Sequence, residues 1–170
     1  LKGHKLLLNT YINYLSSTDN IKLLFVGSPV EQQEYYLEEL KQIISKNGLQ
    51  DKVKILPFAK NLNFIWDCTD IAVMPSTEAE SFGLVALEAM FAKKPVVASN
   101  HGGLTEIILN NETGFLVAPS DEIALSEVLL KLIENPNLRE KFGNRGYDRA
   151  IKEFSVDSYV KSFEDLFLQF

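Results

Sequence analysis

Apolar residues in this chain fall into two patterns. Five short runs, at residues 21–26, 53–56, 71–74, 95–99 and 114–117, are almost continuously apolar, and each is closed by glycine, proline or a polar turn. Runs of this length and density read as buried strands. Between and after them the apolar positions recur every three to four residues, which is helical spacing. Residues 4–16 place Leu7, Leu8, Tyr11, Ile12 and Leu15 on one face. Residues 30–46 do the same with Tyr36, Leu37, Leu40, Ile43 and Ile44, and Gly48 is placed to end that helix. Shorter helices are expected at 62–68, 82–92 and 104–109.

Beyond residue 118 the pattern is helical throughout. Ser120 or Asp121 caps a helix carrying Leu125, Val128, Leu129 and Leu132. Asn135-Pro136 is a cap followed by a first-turn proline. Residues 155–170 form a last amphipathic helix with Tyr159, Val160, Phe163, Leu166, Phe167 and Phe170. Its aromatic stripe reads as core packing, with 163–170 the part exposed in an isolated domain.

Strands alternating with helices predict an α/β fold, a doubly wound parallel sheet with helices on both faces and a helical C-terminus, as one domain over 1–170. In such folds ligands bind beyond the carboxyl ends of the strands. The loops there are at Gly27, 57–60, 75–81, 99–103 and 117–119. The fold class alone names no function.

Composition narrows the choices. The 170 residues are 46% hydrophobic, enough for a sizeable core. No apolar run is long enough for a membrane span and no signal-peptide pattern opens the chain. The lone Cys68 excludes an internal disulfide, fits a reducing compartment and reads as a core residue. A formal charge of −6 argues against nucleic acid as the main partner. It leaves room for a small anion held by a few local donors. No His, Cys or carboxylate cluster has metal-ligand spacing, so no metal and no cofactor are expected.

One helix stands apart. Residues 82–92 are apolar on every face except for Glu88. A helix apolar all round is expected to be buried on both sides, where a carboxylate needs a partner. Glu88 either pairs inside the protein or faces a cleft and receives a polar ligand. The loop ahead of it, Pro75-Ser-Thr-Glu-Ala-Glu80-Ser81, runs from a strand into the helix start. Free amides of Phe82, Gly83 and Leu84 there suit a phosphate, and Gly83 lets it approach. Taken alone, the loop is better explained as an ordinary helix start capped by Ser81. Glu88 leans back toward the helix N-terminus, where its carboxylate suits the paired hydroxyls of a ribose. Glu80 lies on the other side of the phosphate, placed for a second sugar. Carboxylate, amides, carboxylate is the order of a nucleotide sugar.

The stretch Met74-Pro-Ser-Thr-Glu-Ala-Glu-Ser-Phe-Gly-Leu-Val-Ala-Leu-Glu-Ala-Met90 resembles the signature of glycosyltransferase family 4 (group 1). Leu24-Phe-Val-Gly27, Pro95-Val-Val-Ala-Ser99, Gly102-Gly103-Leu-Thr-Glu106-Ile-Ile and Thr113-Gly-Phe-Leu-Val117 match in order, and Lys2-Gly3 resembles the family's Lys-Gly at the start of the first helix. The resemblance covers nearly the whole chain as the C-terminal, donor-binding half of a two-Rossmann-domain enzyme. It implies metal-independent, retaining transfer of a hexosyl unit from a nucleotide-diphosphate sugar, by front-face substitution in the usual proposal. On that resemblance Glu80 contacts the donor sugar on the reacting side and Glu88 binds the ribose. Phe82, Gly83 and Leu84 supply amides to the diphosphate, and Lys2 neutralises it. The backbone at Phe58 and Ala59 contacts the nucleobase edge.

The chain departs from the family pattern in places. An arginine expected shortly before the lysine falls ahead of Leu1, as does the family's first strand, and the acceptor-binding N-terminal domain is missing. The opening therefore reads as a cut, although composition fits a short native N-terminus as well. Lys93-Lys94 replaces a small residue and a glycine, a change read as structural at a helix C-terminus. His101 and Lys60 lie at strand-end loops and read as exposed, with contacts to the sugar, acceptor, base or phosphates as the alternative; Glu106 opens a helix, where a carboxylate suits the dipole, and the resemblance makes a second-site contact its alternative. The expected partners are a nucleotide sugar and, through the missing half, a sugar or glycolipid acceptor, with no nucleic acid. The expected location is cytoplasmic, with any membrane association through the missing half. The rival readings are a nucleotide-sugar epimerase and a non-catalytic nucleotide-binding module.

Overall fold

The computed structural model describes residues 2–168; Leu1, Gln169 and Phe170 lie outside the described residues. Five strands form where the apolar runs predict them: β1 (Leu23–Val26), β2 (Val53–Leu56), β3 (Ala72–Met74), β4 (Val96–Ser99) and β5 (Gly114–Val117). All pairings are parallel. Leu23 registers with Val53, Ala72 with Val96 and Val96 with Gly114. The strands hydrogen-bond in two groups, β1 with β2 and β3–β4–β5 with β4 central. Parallel neighbours need crossover connections, and the helices supply them. These are α2 (Glu34–Lys46) between β1 and β2, α4 (Leu84–Phe91) between β3 and β4, and α5 (Leu104–Ile107) between β4 and β5.

One apolar layer runs beneath both strand groups. Phe25, Val53, Val97, Phe115 and Val117 point into it, against Leu7 and Leu8 of α1 (His4–Thr10) and Tyr11 of the π-helical stretch that continues α1 to Leu15. Leu40 and Ile44 of α2 and Leu125, Leu129 and Leu132 of α6 (Glu122–Ile133) close that side. Alternate residues of β3 and β4, Ala72, Val96 and Ala98, face a second cluster. It contains Ala86, Leu87, Ala89 and Met90 of α4, Leu104 and Ile107 of α5, and Ala150 of α7 (Pro136–Phe154). The period-two alternation of strand side chains thus feeds two layers from the same sheet.

The caps behave as their chemistry dictates. Asp121 accepts the Ala124 amide at 2.9 Å and Asn135 accepts the Leu138 amide at 3.0 Å. Gly48, in the left-handed region at φ 64°, follows the end of α2. The second helix starts later than its apolar spacing suggests, at Glu34, because Gln32 at φ 67° breaks the turn before it.

Two expectations for the interior need correction. The aromatic stripe of α8 (Val156–Phe167) is not core, since every residue of that helix is exposed or half-buried. Tyr159 and Val160 are exposed against that expectation, whereas the exposure of Phe163, Leu166 and Phe167 is the expected one; amphipathic spacing identifies a helix without supplying what covers it. Cys68 is exposed, because α3 (Asn63–Asp67) ends one residue before it and buries Ile65 instead.

Candidate donor-binding site

The site forms where the N-terminus of α1 meets the β3–α4 loop. Gly3 caps α1 in the left-handed region (φ 72°), and the space where a side chain would begin is filled by the Pro75 backbone. Only glycine permits both the dihedral and the approach. The contact carries Lys2 to the loop, where its Nζ lies 2.6 Å from Glu80 Oε2. The other carboxylate oxygen, Glu80 Oε1, accepts the Ser76 hydroxyl at 2.6 Å. The Glu80 side chain is 15% exposed and that of Lys2 is 67% exposed. Burial pushes the Glu80 carboxyl up; the hydrogen bonds from Lys2 and Ser76, with the Lys2 charge, more than offset this and hold it below the usual carboxylate value.

A second loop braces the first. His101 Nε2 lies 2.9 Å from the Ser76 carbonyl, so that nitrogen carries the proton and donates. The Gly103 amide donates to the Glu80 carbonyl at 2.8 Å, and Gly102 bridges Glu80 as in a parallel ladder. A Cβ on Gly102 would lie 2.4 Å from the Glu80 carbonyl oxygen, and one on Gly103 2.6 Å from that of Phe82. The glycine pair is what lets the β4–α5 loop lie against the β3–α4 loop. Lys2, Ser76, Glu78, Ala79, Glu80 and Ser81 line an open cavity of about 300 Å³.

The helix beyond this cavity starts later than its apolar pattern suggests. Its N-cap is Gly83 (φ 106°), with no side-chain cap, so Ser81 does not fill that role. Among the described residues the amides of Phe82, Gly83 and Leu84 donate to no acceptor of the chain. The expectation that α4 is buried on both sides is overturned. Ala86, Leu87, Ala89 and Met90 are buried, but Leu84 and Val85 are exposed and share the outer face with Glu88. Glu88 therefore needs no internal counter-charge, and among the described residues its carboxylate has no ion-pair or hydrogen-bond partner. It stands one turn below Leu84, about 6 Å along the axis.

Phe58 and Ala59 lie on the loop after β2, with the Phe58 ring 69% exposed. The Phe58 amide is already committed to Ser28 Oγ at 3.1 Å, which ties this loop to the one after β1. Among the described residues the carbonyl of Phe58 and the amide of Ala59 have no hydrogen-bond partner in the chain. The structure thus brings Lys2 and Glu80 into one cavity beside the helix start carrying Phe82, Gly83 and Leu84. It sets Glu88 on the outer face of that helix and Phe58 and Ala59 on a separate strand-end loop. Ser76, Ser28 and the bracing role of His101 were not read from the sequence. A serine four residues before Glu80 and two residues after a strand was the available signal for Ser76. Among the described residues no three His, Cys, Asp or Glu side chains cluster as a metal ligand set.

Residues 1–149 match the family model described as glycosyl transferases group 1. The chain belongs to this family. It is 36% identical over 133 residues to alpha-1,3/1,6-mannosyltransferase ALG2 of Mus musculus, covering 76% of this chain and 31% of that protein. It is 29% identical over 175 residues to the capsular polysaccharide biosynthesis glycosyltransferase CapM of Staphylococcus aureus, covering 99% of this chain and 43% of that one. Among solved structures it superposes on Anabaena Alr3699/HepE in complex with UDP with a TM-score of 0.91 at 26% identity, covering 99% of this chain and 46% of that chain. The chain spans less than half the length of each of these relatives.

Proposed function

We propose that this chain is the donor-binding half of a retaining, metal-independent glycosyltransferase. The whole enzyme moves a hexosyl unit from a nucleotide-diphosphate sugar to a sugar or glycolipid acceptor held by an N-terminal domain. One observation carries the reading: a lysine and a carboxylate meet in a cavity beside an uncapped helix start, while a second carboxylate on that helix has no partner among the described residues. A cation and free amides suit a diphosphate, and the two carboxylates suit hydroxyls on either side of it. Family membership and the UDP held by HepE support the same ligand class.

In this reading Glu88 accepts the ribose hydroxyls. The amides of Phe82, Gly83 and Leu84 bind the diphosphate, and Phe58 and Ala59 meet the base through the backbone groups that Ser28 leaves free. As the bond from the anomeric carbon to the diphosphate oxygen breaks, negative charge grows on that oxygen. Lys2 and the amides stabilise it, and fixed donors in a partly dry site are effective there. Glu80 holds the hexose on its reacting side. The acceptor hydroxyl attacks the face the diphosphate leaves, and its proton goes to the departing oxygen.

The acceptor domain is not among these residues, so the chain alone binds donor without turnover. No helix of the described residues is long and apolar enough to cross a membrane. Work in the cytoplasm follows from donor supply, with any membrane contact through the other half. An epimerase needs acid–base groups at the hexose, and the His101 nitrogen that faces the site is spent on the Ser76 carbonyl. Calorimetric titration with UDP, GDP and ADP tests the proposal. One of the three binds in the micromolar range; binding by none refutes every nucleotide reading.

A further inference from the structure

We propose that Ser76 is a positioning residue: it keeps the Glu80 carboxylate aimed into the donor site while Lys2 exchanges partners, from Glu80 in the empty site to the diphosphate in the loaded one. The inference rests on the donor-binding reading above and adds a residue and a sequence of contacts to it.

In the ligand-free chain Lys2 and Glu80 neutralise each other at 2.6 Å. Both groups are then unavailable in the form the donor needs. A diphosphate carries more charge than one carboxylate, and a lysine is a point charge on a flexible stem. Lys2 is the exposed partner, so it is the one free to turn. Once it does, Glu80 loses the donor on Oε2 and keeps only Ser76 on Oε1.

Ser76 is built for that task. It is 2% exposed, and a serine has a single side-chain torsion, so its hydroxyl cannot follow a moving carboxylate. Its backbone is pinned by His101 at the carbonyl. The backbone of Glu80 is pinned by Gly102 and Gly103 of the same loop. The β4–α5 loop thus fixes both ends of the Ser76–Glu80 hydrogen bond and leaves Lys2 outside the clamp. A hydroxyl-to-carboxylate bond is charge-assisted and among the stronger kinds. Released from Lys2, Oε2 points into the cavity with its lone pairs open to a hexose hydroxyl.

Comparing a ligand without the hexose to one with it isolates this role. The chain, as wild type, Ser76→Ala and Ser76→Thr, is titrated calorimetrically with UDP, GDP and ADP. The best-binding base is then repeated as its glucose, mannose, galactose and N-acetylglucosamine conjugates. Ser76→Ala is expected to bind the bare diphosphate within about two-fold of wild type and to lose at least five-fold on the preferred conjugate. Ser76→Thr, which keeps the hydroxyl, restores most of that loss. If Ser76→Ala does not fold by thermal melting, Ser76→Cys takes its place with the same expected split. Glu80→Gln, which frees Lys2, is expected to tighten the bare diphosphate by at least two-fold.

Equal losses on the bare diphosphate and the conjugate overturn the proposal, because a merely structural serine behaves that way. An unchanged conjugate affinity in Ser76→Ala overturns it too, as does a wild type that draws no distinction between the conjugates and the bare diphosphate. A wild type that binds none of the three diphosphates overturns the donor-binding reading itself, and this inference with it.

Discussion

A Cβ built on Gly3 would lie 1.8 Å from the carbonyl oxygen of Pro75. The start of α1 therefore touches the β3–α4 loop backbone to backbone, and this contact sets the reach of Lys2. Gly3→Ala must push the two segments apart and also strain a left-handed residue, at about 1 kcal/mol for the dihedral alone. The expected outcome is a fall in melting temperature of several degrees. Nucleoside diphosphate affinity falls at least ten-fold as Lys2 is withdrawn. A variant that melts lower yet binds as well as wild type would separate the contact from the site.

Glu88 has no partner among the described residues and sits on an exposed helix face, so its removal leaves the fold nearly untouched. Glu88→Ala is expected within about 0.5 kcal/mol of wild-type stability, as for surface substitutions generally. On the proposed donor-binding reading, its loss removes two charge-assisted hydrogen bonds to a ribose, each about 1.5–3 kcal/mol. Affinity for the preferred nucleotide should therefore drop ten-fold or more by calorimetry, with denaturant midpoints unchanged. Full affinity in Glu88→Ala would remove ribose binding from this residue.

The strands and the caps at Asp121 and Asn135 were legible because each rests on local chemistry: apolar runs and a side-chain oxygen. The outer face of α4 was not. Leu84 and Val85 look like core residues, and their exposure depends on what stands opposite them in space, which no local pattern encodes. The same holds for the stripe on α8. Cys68 illustrates the limit in miniature, since one residue of error in a helix end moves a side chain from interior to solvent. The Ser76–Glu80–Lys2 contacts were half legible. Both charged residues were singled out, but their meeting across 78 residues of chain depends on the glycines that let three loops touch.

Gly143 presses α7 against the end of α4. A Cβ there would lie 2.1 Å from the Lys93 carbonyl oxygen, and Lys93 itself holds a left-handed turn at φ 56°. The backbone on both sides is fixed, so neither can yield as a flexible side chain would. Gly143→Ala should cost about 1–3 kcal/mol, the range for overpacking, despite the better helix propensity of alanine. Chemical denaturation reads this directly. Because α4 carries Glu88 and the helix-start amides, nucleotide affinity should weaken alongside. A stabilised Gly143→Ala would show that α7 rides farther from α4 than described.

The pH dependence of stability follows from the partners of Glu80. Its carboxyl is held below the usual value in the folded chain, so the unfolded chain binds its proton first as the pH falls. The stabilisation from this group is fully present above the ordinary carboxylate pKa of about 4.3. It is lost as the pH drops through the lower, folded value. The Lys2 side chain is largely exposed, so solvent screening keeps the effect to no more than about 1 kcal/mol. Glu80→Gln should melt slightly below wild type at pH 7 and pH 5, and the gap should narrow as the pH falls below the ordinary carboxylate value. High salt should narrow the gap at neutral pH by screening the pair. A gap that persists unchanged at pH 3 would mean that Glu80 contributes through packing and not through its charge.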